Sequence, residues 1–303
     1  MGYNCVVLVK QVPDTKRITG DVMNDDGTVK RSALPAIFNP EDLNALELAL
    51  QIKDKFGGHI TVITMGLPTA SAVLRDALYR GADDVILVTD RRCAASDTLA
   101  TSYILSCAVK KLDFDIVLCG RQAIDGDTAQ VGPQLAEKLG VTQITYVEEL
   151  IELVDKNITV QRNIGNGWQR VKSALPVLLT VTGDANEPRV AAARKLMKYK
   201  NALTSVEVMQ KIANENPDAD PADIKELVEH KASRLKETGL LMKQWTLDDM
   251  EADLTWCGQS GSPTKVHRIQ SVVLTAKESK GIAPNEKAIS GMIHELISDK
   301  IIA

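Results

Sequence analysis

The chain has 303 residues, of which 44% are hydrophobic and 25% charged, and its formal net charge is −4. This composition is ordinary for a globular protein with a sizeable core, and the slightly acidic balance gives no overall attraction to nucleic acid or to anionic membranes. The five cysteines are widely spaced with no CxxC pair, which argues against a metal or iron–sulfur site.

The N-terminus lacks the basic region and the long apolar region of a signal peptide. No apolar run approaches the roughly 20 residues needed to span a bilayer. Together with the scattered cysteines, these features predict a cytoplasmic protein in a reducing compartment.

Short apolar runs alternate with longer amphipathic segments through the first half of the chain. The predicted strands are Cys5–Val9, Ile60–Thr64, Val85–Val88, Ile116–Leu118 and Val177–Val181. The predicted helices are Glu41–Phe56, Thr69–Tyr79, Asp97–Lys110 and Gln130–Leu139. Continuous apolar strands separated by helices indicate a doubly wound α/β fold with a mostly parallel sheet.

The pattern changes toward the C-terminus. Gln143–Val181 contains alternating segments and an Asn/Gly-rich turn, which predict antiparallel strands that extend the sheet. Ser205–Glu237 is strongly charged and helix-prone, with an interruption at Asn216–Pro221. Beyond it, Lys265–Thr275 is interpreted as a strand or an extended arm, and Asn285–Asp299 as a short terminal helix.

The loop after the fourth predicted strand is the richest in ligand-binding features. Doubly wound sheets bind ligands beyond the carboxyl ends of their strands. Gly120, Gly126 and Gly132 let the backbone approach a ligand closely, and the loop ends at a helix start that favours phosphate. It is neither a GxxxxGK[ST] nor a GxGxxG loop, and Asp125 and Asp127 would repel phosphate if both pointed inward. The loop predicts a phosphate or nucleotide site, with a solvated turn as the alternative.

Other segments add less. The turns at residues 9–14 and 65–68 are expected at the same edge of the sheet, and Asn39 is expected to act as a helix N-cap with Pro40 at the first helical position. The sequence has no GxSxG, no HExxH and no Cys/His pairing, so no catalytic residue is predicted. A nucleotide site without acid–base machinery suggests that a cofactor performs the chemistry.

Separated motifs in a fixed order give the chain a family resemblance. They are VKQVPD at Val9–Asp14, Phe38-Asn39-Pro40, GRQAID at Gly120–Asp125, QVG at Gln130–Gly132 and NEPR at Asn186–Arg189. The chain resembles the beta subunit of electron-transfer flavoproteins over roughly residues 1–200, and again at Trp245–Ile269. The resemblance implies a heterodimer in which the alpha subunit carries FAD and the beta subunit holds a second nucleotide.

The resemblance leaves two branches open. In simple electron carriers the second nucleotide is a structural AMP, and this subunit has no NADH chemistry. In the electron-bifurcating branch it is a second FAD that takes a hydride from NADH. One electron then passes through the alpha subunit to an acyl-CoA dehydrogenase-type partner, and the other passes to ferredoxin or flavodoxin. A third alternative, of a different class, is a stand-alone nucleotide-binding α/β protein.

Residues 125–133 resemble the bifurcating pattern DGDTAQVGP. Gly126 and Ala129 would leave more room beside the phosphates than bulkier residues, so FAD is expected in preference to AMP. The cofactor-binding residues implied by the resemblance are Val9, Lys10, Asn39, Gly66, Asp125, Gly126, Thr128, Gln130, Val131, Gly132, Pro133 and Gln134.

The resemblance also implies a loop that docks partner dehydrogenases. Its expected contact residues are Asn186, Glu187, Pro188, Arg189, Ala193 and Met197. The family often has Leu, Ile or Val where Ala193 stands, and a small residue would weaken a pocket-filling anchor. Residues 204–239 depart from the family and are interpreted as an inserted helical hairpin. The expected domains are an α/β nucleotide-binding domain over 1–200, a helical insertion over 201–244, and a C-terminal arm and helix packing on the partner subunit over 245–303.

Overall fold

The computed structural model describes residues 2–14, 35–264 and 281–298. The strands are β1 Tyr3–Leu8, β2 Gln11–Pro13, β3 Ala36–Phe38, β4 Gly58–Met65, β5 Asp84–Val88, β6 Ile116–Gly120, β7 Thr142–Val154, β8 Asn157–Asn163, β9 Trp168–Ala174, β10 Val177–Val181 and β11 Lys243–Trp245. The α-helices are α1 Pro40–Phe56, α2 Ser71–Arg80, α3 Thr98–Lys110, α4 Val131–Leu139, α5 Ala193–Tyr199, α6 Ser205–Glu215, α7 Pro221–Glu237 and α8 Glu286–Ser298.

Nine of the described strands form one sheet in the order β11-β5-β4-β1-β6-β10-β7-β8-β9. All pairs from β11 to β10 are parallel, whereas β8 pairs antiparallel with both β7 and β9. Strand β7 belongs to both the parallel and the antiparallel part of the sheet, because its first residues run parallel to β10 and its last residues run antiparallel to β8. The predicted doubly wound, mostly parallel sheet with an antiparallel extension is confirmed.

The central strands are apolar because both of their faces are covered. Strand β10 is buried at all five residues. On one face of the sheet, α1 and α2 contribute Leu46 and Leu74 to a large apolar cluster. On the other face, α3 and α4 contribute Ile104 and Leu135 to a second cluster. Helices on both faces leave the carboxyl ends of β1, β4 and β6 as the open edge where the connecting loops meet.

Helices α6 and α7 form a helical hairpin that is connected to α2 through hydrogen bonds and an ion pair of Glu207. Glu207 completes a capping box with Thr204 at the start of α6. Its carboxylate also accepts hydrogen bonds from Ser71 Oγ at 2.7 Å and from Arg75 at 2.8 Å. Burial raises the pKa of Glu207, but these hydrogen bonds and the Arg75 charge outweigh burial and hold the pKa below its usual value. The hairpin is therefore joined to the α/β core through an ionised carboxylate.

The C-terminal part of the chain completes the core. Strand β11 pairs with β5 at the edge of the sheet, and the expected domain boundary at 244–245 falls within it. The chain then returns to the start of α3, where Asp97 N donates to Ser262 Oγ at 2.8 Å and Thr264 Oγ1 donates to Asp97 at 2.6 Å. The predicted strand or arm at Lys265–Thr275 lies outside the described residues. Helix α8 coincides closely with the predicted terminal helix.

Among the described residues, no helix combines the length and the apolar character that a membrane crossing requires. Over the same ranges, no group of three or more His, Cys, Asp or Glu side chains has an arrangement suited to a metal ion.

Candidate functional site

A cavity of about 400 Å³ lies at the carboxyl ends of β1, β4 and β6. Eight of the twelve expected cofactor-binding residues line it, namely Val9, Lys10, Asp125, Gly126, Thr128, Gln130, Val131 and Gly132. The other four, Asn39, Gly66, Pro133 and Gln134, are not among its lining residues. The structure thus brings the loops after β1 and β6 together at the edge of the sheet where the sequence predicts a ligand.

The loop after β6 turns sharply on the rim of this cavity. The N–H groups of Gly126 and Asp127 both donate to Ala123 O. Asp127 and Ala129 adopt left-handed backbone conformations, with φ of 50° and 53°. Such conformations cost of order 1 kcal/mol for residues other than glycine and concentrate at ligand sites. A Cβ added at Gly126 would meet no protein atom within 4 Å, so the loop leaves open space at that position.

The start of α4 is brought to the cavity by close packing at Gly132. A Cβ added there would lie 2.9 Å from both Cys119 Sγ and Thr180 Cγ2. Because glycine avoids these clashes, the first turn of α4 packs directly on β6 and β10. The N–H groups of a first helical turn have no partner within the helix, and they favour an anion. Val131 and Gly132, both in this turn, line the cavity.

The start of α1 supports the loop through side chains that the sequence analysis assigned differently. The expected side-chain cap at Asn39 is not formed. Instead, the buried Asn39 amide donates to Gln122 O at 2.9 Å and accepts from Ile124 N at 3.1 Å. Glu41 accepts a hydrogen bond from Gln122 N at 2.9 Å. Asn39 therefore shapes the loop from beneath, since the tertiary contact replaces the local cap.

Asp42 is the buried carboxylate of the cavity, and the sequence analysis did not single it out. It accepts hydrogen bonds from Lys10 N at 2.8 Å and from Gly120 N at 2.9 Å. Burial raises the pKa of Asp42 to about 7, against the opposing effect of hydrogen bonds from Asn39, Gly120 and Lys10. The carboxylate links the ends of β1 and β6.

The cationic side chains beside the cavity are engaged with carboxylates. Lys10 Nζ lies 2.8 Å from Asp125, and this pair joins the loops after β1 and β6. Arg121 lies 2.9 Å from Glu41 and 5.5 Å from the centre of the Tyr146 ring. An anionic ligand would therefore depend on backbone N–H groups, assisted by Lys10, as in other glycine-rich phosphate sites.

The start of α3 forms a further wall that the sequence analysis missed. Ser96, Asp97, Thr98 and Thr101 all line the cavity. Thr98 Oγ1 donates to Gln130 Oε1 at 3.0 Å, which connects this wall to the start of α4. The Ser-Asp-Thr sequence that opens a helix after β5 was the available signal. It was overlooked because such a sequence is an ordinary helix start.

The expected docking segment, residues 186–197, does not line the cavity and contacts α1 instead. Asn186 exchanges hydrogen bonds with Asn44, and Arg189 pairs with Glu47 and Asp54, each at 2.8 Å. Pro188 is half-buried, whereas Glu187, Ala193 and Met197 are exposed. The adjacent Val190 is 84% exposed. The segment is held by the hydrogen bonds and ion pairs of Asn186 and Arg189, and it exposes Glu187 together with apolar side chains.

Comparison with known proteins gives consistent similarities. The family model described as "Electron transfer flavoprotein domain" matches residues 26–211. The electron transfer flavoprotein subunit beta of Clostridium acetobutylicum is 40% identical over 92% of this chain and 90% of its own length. The protein of that name from Megasphaera elsdenii is 40% identical over 98% and 99% of the two chains. The caffeyl-CoA reductase-Etf complex subunit CarD of Acetobacterium woodii is 45% identical over 66% and 76%.

Proposed function

This chain belongs to the electron transfer flavoprotein family, and from that membership we propose that it is a beta subunit whose cavity between Lys10 and Gly132 holds FAD. The chemistry that FAD would supply when bound is to accept a hydride from NADH and to pass on its two electrons separately. One electron would go toward an acyl-CoA dehydrogenase-type partner and the other toward ferredoxin or flavodoxin. The chain's own part is to bind and orient the nucleotide beside the alpha subunit.

The observation that carries the proposal is the junction of the glycine-rich loop with α4 at the cavity. The first-turn residues Val131 and Gly132 line the space, as do Lys10 and the hydroxyl-bearing Thr98 and Thr128. This set of groups is suited to bind a phosphate and the hydroxyl groups of the sugar that is linked to it. The apolar residues Leu8, Ile63 and Leu105 also line the cavity and provide a surface for a flat ring.

Two features favour FAD over AMP. The open space at Gly126 leaves room for a pyrophosphate, which is larger than the single phosphate of AMP. The cavity also continues past the loop to the start of α3 at Ser96 and Thr101.

The name of one relative bears on the partner. That relative is named as part of a caffeyl-CoA reductase complex, which supports an acyl-CoA-linked partner for this chain.

Nucleotide content is the measurement that tests this function. We expect the complex of this chain with its alpha subunit to release two FAD and no AMP per heterodimer on denaturation. Chromatography of the released nucleotides, normalised to protein, gives the ratio. One FAD and one AMP would instead identify a simple electron carrier with a structural AMP. A colourless monomer that hydrolyses ATP would contradict membership of either branch.

We also propose that residues 186–197 dock the acyl-CoA dehydrogenase-type partner. Arg189 is fixed by Glu47 and Asp54, so the backbone beside it is held in place. Val190 and Met197 are 84% and 62% exposed, and an exposed apolar side chain on a rigid segment is suited to fill a pocket on a partner. Val190 then supplies the anchor that Ala193 is too small to provide.

Changing Val190 to aspartate should weaken this docking by about tenfold or more, because a buried anchor becomes a desolvated charge. The dissociation constant for the purified acyl-CoA dehydrogenase-type partner measures the effect, and nucleotide content should not change. Leu227→Asp is the matched control, since Leu227 is 41% exposed on α7. Equal weakening by both substitutions would contradict a specific anchor at Val190.

Residues 245–303 are proposed to hold the alpha subunit. On α8, Ile289, Ile293 and Ile297 recur every four residues and are 44%, 41% and 49% exposed. Residues spaced in this way lie along one face of a helix. A one-sided apolar face of this kind suits packing against a partner subunit.

A further inference from the structure

The Asp42 carboxylate fixes the distance between the two strand ends that carry the ligand-binding loops. Asp42 is only 6% exposed, and it lines the cavity. Its two oxygens accept hydrogen bonds from different strand ends, Oδ2 from Lys10 N and Oδ1 from Gly120 N. A Cβ added at Gly120 would lie 2.5 Å from Oδ1. The loop after β6 therefore approaches this carboxylate as closely as only glycine allows.

The groups around Asp42 offset the burial of its charge only in part. From β1, the charge nearest to it is Lys10, whose Nζ contacts both oxygens of Asp125. From β6, Cys119 faces Asp42, and burial raises the pKa of the Cys119 thiol so that it stays neutral. From α1, Asn39 contributes a neutral amide, and Glu41 is engaged with Arg121. Burial consequently dominates and places the pKa of Asp42 near 7.

A bound anion would further disfavour the ionised form of Asp42. A phosphate on the first turn of α4 adds negative charge beside the same cavity, and a like charge disfavours ionisation of a buried carboxyl. An anion bound there would favour the protonated form of Asp42 over the ionised form, which would couple its binding to the uptake of a proton. By linkage, affinity is greatest when Asp42 is protonated and falls as pH rises through its pKa.

We propose that Asp42 is a positioning residue of the nucleotide site and that it takes up a proton when the nucleotide binds. The proposal rests on the proposed function and adds a pH-dependent affinity to it. Asp42 acts by holding the backbone N–H groups of Lys10 and Gly120 in place. Whether Asp42 carries a proton then depends on whether the nucleotide is bound.

Titration calorimetry of the heterodimer, stripped of its beta-site nucleotide and titrated with FAD, tests this inference. FAD is the probe because its pyrophosphate does not titrate near neutral pH, whereas a phosphate monoester has a second pKa of about 6. Two buffers with different ionisation enthalpies give the number of protons taken up. We expect a clear fraction of one proton per FAD at neutral pH, and about three- to tenfold weaker binding per pH unit above it.

The Asp42→Asn variant keeps only one of the two acceptors, because its NH2 group cannot accept from a backbone N–H. It should therefore bind FAD more weakly, without proton uptake and with a flat pH profile. Asp223→Asn, the same change on an exposed carboxylate of α7, should behave as the unmodified protein. FAD binding without proton uptake in the unmodified protein would overturn the inference, even if Asp42→Asn failed to fold. Uptake that persists in a folded Asp42→Asn protein would overturn it equally. Failure to bind FAD at any pH would instead refute the proposed function, and this inference with it.

Discussion

Replacing Gly126 with aspartate should empty the beta-subunit site of its nucleotide while the alpha subunit keeps its FAD. Gly126 lines the cavity, and an added Cβ there meets no protein atom within 4 Å. With the nucleotide placed in this cavity as proposed, the new carboxylate would stand close to its phosphates without a clash at its Cβ. Repulsion at close range should weaken binding by about 100-fold or more, equal to roughly 3 kcal/mol.

The readout is the ratio of released FAD to heterodimer, which should fall from two to one. Gly126→Asn is the matched control, because it adds nearly the same volume without the charge. A milder loss in that variant would separate crowding from repulsion. If the aspartate variant retained two FAD per heterodimer, the site would have been placed wrongly.

A large loss of stability is expected from Gly120→Ala. The added Cβ would lie 2.5 Å from Asp42 Oδ1 and 2.8 Å from both Asp42 N and Glu41 C. Backbone atoms cannot be moved aside cheaply, so the start of α1 must shift away from β6. We expect a loss of about 2 to 4 kcal/mol in the free energy of unfolding, as for other overpacked interiors.

Chemical denaturation of the purified protein measures this loss. Gly167→Ala is the control, because an added Cβ at Gly167 meets nothing within 4 Å. It should change the free energy of unfolding by less than about 0.5 kcal/mol. A Gly120→Ala protein as stable as the Gly167→Ala protein would show that α1 and β6 are not packed as closely as described.

The sheet was largely predictable because its parallel strands carry their own signal. Buried on both faces along most of their length, β1, β4, β5, β6 and β10 appear in the sequence as short, mostly apolar runs. By contrast, β2, β3 and β11 are three residues long and were not predicted. Strand β11, with the sequence KQW, owes its conformation to pairing with the edge of β5.

The loop after β6 lines a cavity at the edge of the sheet where the sequence predicts it, but the side chains that support it were not predicted. Asp42 stands in the first turn of α1, where an acidic residue is sufficiently explained by the helix dipole. Asn39 at a helix start is sufficiently explained as a cap. Their contacts with Gly120 and Gln122 join residues about 80 positions apart. No local pattern encodes such contacts, because they depend on how α1 lies across the end of β6.

The contacts of Asp97 with Ser262 and Thr264 also set an order of events during synthesis. A ribosome completes β1, β6 and the loop before α4 well before residues 262 and 264 are translated. Until Ser262 and Thr264 emerge, the Asp97 N–H and one of its carboxylate oxygens lack these partners. The start of the α3 wall thus gains these hydrogen bonds late, so a protein truncated before residue 262 should keep its sheet but lose the contacts that fix Asp97 at the cavity.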